Sequence, residues 1–253
     1  MKKYEITNEM IHVYGKTFYR IKSLINFGNV TQGTLGGFIE KETNLSHDGN
    51  AWVFDDAIVC GNARVYGDAK VFDNAMVCGD AWVFDNAIVC GDAWVCSNAW
   101  VYGDAKVCGN AWVYGDAKVF DNAMVYGNAS VYGDAKVFGN AMVYGNAWVY
   151  GNAWVCSNAW VYGNAWVYGD AKVCGNAWVF DNADYLCFAG LGSRNRNTTF
   201  FKCRDGYICV SCDGFHGNLV EFENRVRETY GNTKYAKEYL ACVTVVKIHF
   251  GVE

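Results

Sequence analysis

Cys203, Cys209, Cys212 and His216 carry the first spacing that suggests chemistry. Cys-x-x-Cys followed by a histidine is a common zinc-ligand arrangement. The local turn argues against it. Asp205-Gly206 is a strong hairpin signal, and a two-residue loop there pairs Cys203 with Ile208. Cys203 and Cys209 then face opposite sides of the sheet. Cys203 shares its side with Phe201, Ile208, Val210 and Cys212, which reads as core. The expectation is structural thiols, no metal and no cofactor.

The second candidate is the donor-rich stretch from Gly192 to Thr199. Ser193, Arg194, Arg196, Thr198 and Thr199, with Lys202 just beyond, could clamp a phosphate or carboxylate. Arginine would bind it through a bidentate fork, and the hydroxyls would close from the side. The plainer reading is a solvated connector, its arginines paired with Glu221, Glu223 and Glu228.

The frame that must position these residues is a repeat. From Gly49 to Leu186 the chain is twenty-three uninterrupted copies of (Gly/Asp/Ser)-(Asn/Asp)-Ala-x-Val-(Tyr/Phe/Cys). Alanine never varies, and valine yields only to Tyr185 in the last copy. A fixed short period is the signature of a solenoid. In extended backbone alternate residues share a face, so Ala and Val point one way and positions four and six the other. The small pair belongs inside. Positions one and two tolerate left-handed backbone and mark a corner. Three strands and three corners per coil predict a triangular parallel β-helix with an 18-residue stacking interval. The cysteines agree, since Cys60/Cys78/Cys96, Cys90/Cys108 and Cys156/Cys174 are each 18 apart. About 7–8 coils would span roughly 35–40 Å.

All ten tryptophans occupy position four, so the outer walls should be aromatic. Apolar surface on that scale calls for a partner, and a homo-oligomer (trimer or dimer) is expected. The shaft holds fourteen aspartates against six lysines and arginines, and every lysine follows an aspartate two residues earlier. Local Lys–Asp compensation is expected, with no nucleic acid bound along the shaft. Seven of the twelve cysteines sit at position six, where they replace tyrosine and phenylalanine. No apolar run is long enough to span a membrane, and MKKYEITNEM lacks a secretion signal's apolar stretch. These features predict a cytoplasmic protein with reduced cysteines.

Residues 1–48 read as an N-terminal β cap, with a hairpin turn at Tyr14-Gly15. The lead-in segment, with FGNV, GTLGGFIE and NLSHDGNAWV running into polar hexads, resembles that of uncharacterised hexapeptide-repeat proteins of bacteriophages, prophages and bacteria. The hexads resemble the left-handed hexapeptide-repeat helix, and left-handedness is implied by that resemblance alone. The best-known proteins on such helices are acyltransferases, which need a base and a loop expelled from the coil. His12, His47, His216 and His249 all lie outside the repeat, and no coil carries an insertion. No catalytic residue is assigned, and His47 is the one candidate base for that alternative.

Residues 187–253 read as a small ββαα module. Strands Phe200–Arg204 and Tyr207–Cys212 precede a helix that Asn218 starts and Glu221 helps to cap. Leu219, Phe222, Val226 and Tyr230 form its buried face and Gly231 ends it. A second helix runs from Lys234 to Phe250. The whole predicts a mainly β, non-enzymatic binding or assembly protein. The resemblance implies a phage-type accessory factor that captures a host molecule, either a small anionic nucleotide-like ligand or a protein, in the bacterial host cytosol. The alternative is a structural oligomeric scaffold.

Overall fold

Each hexad but the last folds as a two-residue strand and a two-residue turn in the computed structural model, which describes residues 1–252. Successive strands fall on three different sheets, so each residue lies beside the residue 18 further on. Trp94 pairs with Trp112 and Val95 with Val113, in parallel register. The result is a three-sided parallel β-solenoid of about 8 turns. Every repeat alanine from Ala51 to Ala177 is fully buried, as is every repeat valine to within 1%. The expected interior of alanine and valine therefore holds along the whole shaft.

Position one supplies the corner. Gly91 has φ 69° and Asp73 φ 57°, both left-handed. A Cβ added to Gly91 would stand 2.8 Å from the amide nitrogen of Gly109 in the next coil. Glycine thus serves both the turn and the close stacking. Where aspartate stands there instead, its carboxylate reaches up: Asp73 Oδ2 accepts from Gly91 N–H at 2.8 Å.

Position two builds side-chain ladders. Asn98 Nδ2 donates to Asp116 at 2.9 Å, and Asn110, Asn128, Asn146 and Asn164 hand their amides on in series at 3.0–3.2 Å. This corrects the expected Lys–Asp pairs. Corner aspartates such as Asp68, Asp80 and Asp116 accept asparagine amides from the neighbouring coil, while Lys118, Lys136 and Lys172, three of the five shaft lysines, lie over indoles. Lys118 Nζ sits 4.4 Å from the Trp100 ring, and Lys136 and Lys172 flank Trp154 at 4.9 and 4.7 Å. Position four points along the flat face, toward rings above and below, so the cation–π contact is the near one.

Strand β1 (Tyr4–Val13) and strand β2 (Lys16–Ser23) form the predicted hairpin, with Tyr14 and Gly15 both at positive φ. Strand β3 (Leu35–Ile39) joins β2 to the first strand of one shaft face, Ile58–Val59. The hairpin does more than close the end. Phe18, Ile11 and Val13 pack with Phe38, Ile58, Cys60, Met76 and Cys78. Tyr14 at the tip meets Trp94 edge-on at 6.4 Å. Trp52 departs from the outward rule: it is fully buried, under Tyr4 and Phe27.

Lys3 plugs the open end, 1% exposed. Its ammonium donates to the carbonyls of Ala51 and Gly49 at 2.9 and 3.3 Å and lies over Phe27. These are orphan carbonyls of the first coil, which a solenoid end must satisfy. No helix among the described residues is long and apolar enough to cross a membrane.

The last copy of the repeat, Asp181–Leu186, leaves the shaft. It forms a short turn and opens a four-stranded antiparallel sheet: β4 (Tyr185–Leu191), β5 (Arg196–Lys202), β6 (Ile208–Cys212) and β7 (Phe215–Asn218). Two of these strands, β4 and β7, were not read from the sequence. The helices are as expected: α1 (Leu219–Tyr230), with a reciprocal Asn218/Glu221 cap, and α2 (Lys234–Phe250). One sheet face, with Phe201, Cys203 and Tyr185, closes the Ala/Val column. The other, with Phe200, Val210 and Cys212, packs on both helices.

Two tests follow from this packing. Ala117→Leu inserts three carbons into a filled interior and should cost about 1–3 kcal/mol in denaturant unfolding, while Lys118→Ala next to it should cost under about 1 kcal/mol. For the end plug, burial lowers the Lys3 pKa from 10.5 to about 8, with Asp48 and Asp68 partly offsetting. Between pH 8 and 10.5 the unfolded chain then binds more protons than the folded one, so this group adds stability as pH rises. Burial raises the Tyr4 hydroxyl and pulls the other way above pH 10. Calorimetry from pH 7 to 10 should show a rise in Tm relative to Lys3→Met, and the relative slope should be absent below pH 7.

Candidate functional site

Strand β5 divides the six predicted ligand residues by its pleat. Alternate residues turn to opposite faces, so Asn197 and Thr199 meet the shaft end while Arg196 and Thr198 turn toward the helices. Asn197 Nδ2 donates to Asp170 at 2.9 Å, and Thr199 Oγ1 accepts from Lys172 N–H at 3.0 Å. Thr198 is fully buried, its hydroxyl on Cys212 Sγ at 3.1 Å. Lys202 pairs with Asp184, whose carboxylate also accepts from Phe180 N–H and Asp181 N–H. The six residues therefore do not form one cluster. Thr198 holds the module together, Thr199 fastens it to the shaft strand at Lys172, and Lys202 fastens it to the short turn Asn182–Asp184 that leads out of the shaft.

Ser193, Arg194 and Arg196 do come together. They line a cavity of about 840 Å³ between the β4–β5 loop and α1. Its other walls are Asp213, Phe215, Glu221, Arg225, Glu228, Tyr230 and Tyr239, among others. Arg194 is committed to Asp213 at 3.0 Å, not to a helix acid. Glu221 accepts from Asn218 N–H at 3.0 Å in the helix cap. Arg196 and Arg225 make no ion pair among the described residues, and Glu228 is the carboxylate left on that wall. The cavity thus offers two unpaired guanidiniums beside aromatic rings. Arg225 and the rings of Tyr230 and Tyr239 were missed as site residues. The sequence signal for them is weak, because it depends on which face of α1 meets the loop.

The loop is set by Gly192, at φ 68°, where a Cβ would collide with the Tyr239 ring. Tyr239 is buried beneath the cavity floor, donates to Leu191 O at 3.4 Å, and burial together with Cys212 pushes its hydroxyl pKa well up. Ser193 Oγ lies 3.4 Å from Tyr230 OH.

The cysteine expectations need correcting. The hairpin has Lys202 opposite Ile208 and Cys203 N–H bonded to Tyr207 O, leaving Arg204-Asp205-Gly206 as a three-residue loop. That is one residue out of the expected register, and such a slip moves every side chain to the other face. Cys203 and Cys209 therefore share the shaft-facing side, where they form a disulfide. Cys90–Cys108 and Cys156–Cys174 are disulfides too, each between coils, so these six are not the reduced thiols expected. No group of three or more metal-ligating side chains among the described residues is placed to hold a metal. His47 has both ring nitrogens engaged in the N-terminal cap: Lys3 N–H donates to Nδ1 at 3.2 Å, and Nε2 lies 2.9 Å from Glu42. Its ring stacks on Tyr4 at 4.3 Å.

Among known proteins, the shaft matches a family model described as YdcK Beta solenoid repeat, over residues 117–133 and 135–151. No curated protein matches the chain. Gly192→Ala tests the loop: strained left-handed backbone plus the Tyr239 collision should destabilise the module by about 1–3 kcal/mol, read as earlier proteolysis after Leu191 with the shaft intact. The match and the stacked hexads together place the chain among repeat β-solenoid proteins.

Proposed function

We propose that this is a non-catalytic binding protein whose C-terminal module holds a small anionic, nucleotide-like ligand at the end of a rigid β-solenoid. The observation that supports this is the 840 Å³ cavity with Arg196 and Arg225 free of ion pairs beside Tyr230 and Phe215. Guanidinium forks suit phosphate oxygens, and aromatic rings suit a base plane. The resemblance of the lead-in segment to phage, prophage and bacterial hexapeptide-repeat proteins supports reading the ligand as a host molecule and the protein as an accessory factor working in the host cytoplasm.

A second reading, self-association, has its own support. On the shaft face that the β1–β2 hairpin partly covers, Trp112, Trp148 and Trp166 lie bare in one column at 47, 39 and 42% exposure. Tyr114, Tyr132, Tyr150 and Tyr168 stack beside them at 4.9–5.4 Å. Uncovered aromatic surface of this extent favours a second copy as its partner.

Calorimetric titration with mono-, di- and cyclic nucleotides tests the first reading. Binding should weaken at least tenfold in Arg196→Ala and in Arg225→Ala, as loss of a charge-assisted hydrogen bond predicts, and should be unchanged in Lys202→Ala. Absence of heat and of any melting shift with all of them would end it. Light scattering tests the second: a defined dimer or trimer should dissociate on Trp148→Ser, and a monomeric wild type would refute it.

A further inference from the structure

Cys60, Cys78 and Cys96 are free thiols at position six of three consecutive coils, along one corner of the shaft. The strands before them pair in strict register, Val59 beside Val77 and Val77 beside Val95. Cys60 N–H bonds Val77 O and Cys78 N–H bonds Val95 O, both at 2.9 Å. Elsewhere in the shaft, cysteines at the same position one coil apart have Cα atoms 4.6 Å apart and are joined as disulfides. The backbone of the 60/78/96 column is already at bonding distance for each neighbouring pair.

Three stacked thiols differ from two. Cys60 and Cys96 stand two coils apart, about 9.6 Å at the usual strand spacing, beyond the roughly 7 Å that a disulfide can bridge. Cys78 must therefore be one partner in any disulfide within the column, and one thiol is always left over. That thiol lies on the line of the other two sulfurs, the approach that thiol–disulfide exchange requires.

The column is also graded in access. Cys60 is 7% exposed and packs with Phe18 and Phe38 beneath the hairpin, with Cys78 at the edge of that cluster. Cys96 lies past the cluster, toward the hairpin tip at Trp94.

We propose that Cys60, Cys78 and Cys96 form a disulfide relay, which accepts oxidising equivalents from a small external disulfide at Cys96 and stores them as a covered Cys60–Cys78 bond. The Cys96 thiolate attacks the external disulfide; a Cys96–sulfur bond forms, the external S–S bond breaks, and one thiol leaves with a proton from water. Cys78 loses its proton and attacks Cys96 Sγ, expelling the second external thiol. Cys60 loses its proton and attacks Cys78 Sγ from the opposite side, expelling Cys96 as a thiol again. Two protein thiols are oxidised and one external disulfide is reduced to two thiols. Hydrogen bonding with the Cys78 thiol lowers the pKa of Cys60 and of Cys96, while that of Cys78, the group that keeps its proton between them, is raised. Of these two end thiols Cys60 is buried and Cys96 is not, so Cys96 is the one that meets an external disulfide first.

The test uses the full-length reduced protein in oxidised glutathione, with samples acid-quenched, alkylated and mapped by mass spectrometry. The Cys60–Cys78 linkage should dominate at equilibrium, with Cys96 alkylated or carrying glutathione. Cys60→Ser should accumulate Cys78–Cys96 instead. Cys78→Ser should give no linkage between the remaining two, and Cys96→Ser should slow Cys60–Cys78 formation at least tenfold. Cys90–Cys108 formation in the same samples reports that the coils are folded and the oxidant is sufficient. If all three column thiols stay alkylatable while Cys90–Cys108 forms, the relay does not exist. A rate within twofold of wild type in Cys96→Ser would equally overturn it.

Discussion

Stacking of one coil on the next, 18 residues later, is the constraint on which everything else in this molecule depends. Each two-residue strand is too short to hold a sheet by itself, yet every one inside the shaft carries backbone hydrogen bonds to the coils on either side. The interior tolerates only alanine and valine because three walls converge on it. With the interior fixed, no coil can slip relative to its neighbours without burying a corner residue or expelling a valine. The register is therefore rigid, and chemistry on the outside comes in columns. Asparagine meets asparagine or aspartate, tyrosine meets tyrosine, tryptophan meets tryptophan and cysteine meets cysteine.

That rigidity leaves the two ends as the places where something other than a repeat must happen. Open β-solenoid ends present unpaired backbone and an unroofed apolar column, both of which would recruit other chains. The N-terminal solution is compact: a buried ammonium on two carbonyls, with Tyr4 closing over Leu45 and Trp52. The C-terminal solution is larger. A sheet lies across the end, and its outer face needs covering in turn, which α1 and α2 provide. The cavity lined by Arg196 and Arg225 arises where that second layer meets the loop leading into β5. It exists because the cap has two faces, whereas each shaft wall has only one surface available.

Periodicity made the shaft legible, down to its coil interval and to which side chains are buried, because twenty-three copies give the same answer. The failures occur where a single event sets geometry. Trp52 obeys the repeat in sequence but sits under a cap built from residues far away in the chain. The lysines follow aspartate by two residues, yet the nearer neighbours of Lys118, Lys136 and Lys172 are rings one coil away, invisible until the stacking is drawn. Cys203 and Cys209 depended on one turn, and a loop of three residues in place of two reversed the conclusion. The same uncertainty split the polar stretch: Arg196 and Thr199 are three residues apart and face opposite sides of β5. Composition identified a donor-rich segment but could not say which donors share a surface.

The position-six columns show how a repeat can acquire function without interrupting itself. A tyrosine column offers stacked rings, and a cysteine pair closes into a staple between two coils. A third cysteine in the same column cannot be stapled at the same time as the other two, since each sulfur makes only one disulfide bond. Lengthening the run from two to three therefore changes the character of the site from a fixed cross-link to an exchangeable one, with no change in fold. The hairpin then sets a direction, because it covers one end of the run and leaves the other reachable. In a structure whose every coil is nearly the same, this asymmetry comes from the non-repeating segment laid over the repeat, and the cavity at the C-terminal end arises in the same way.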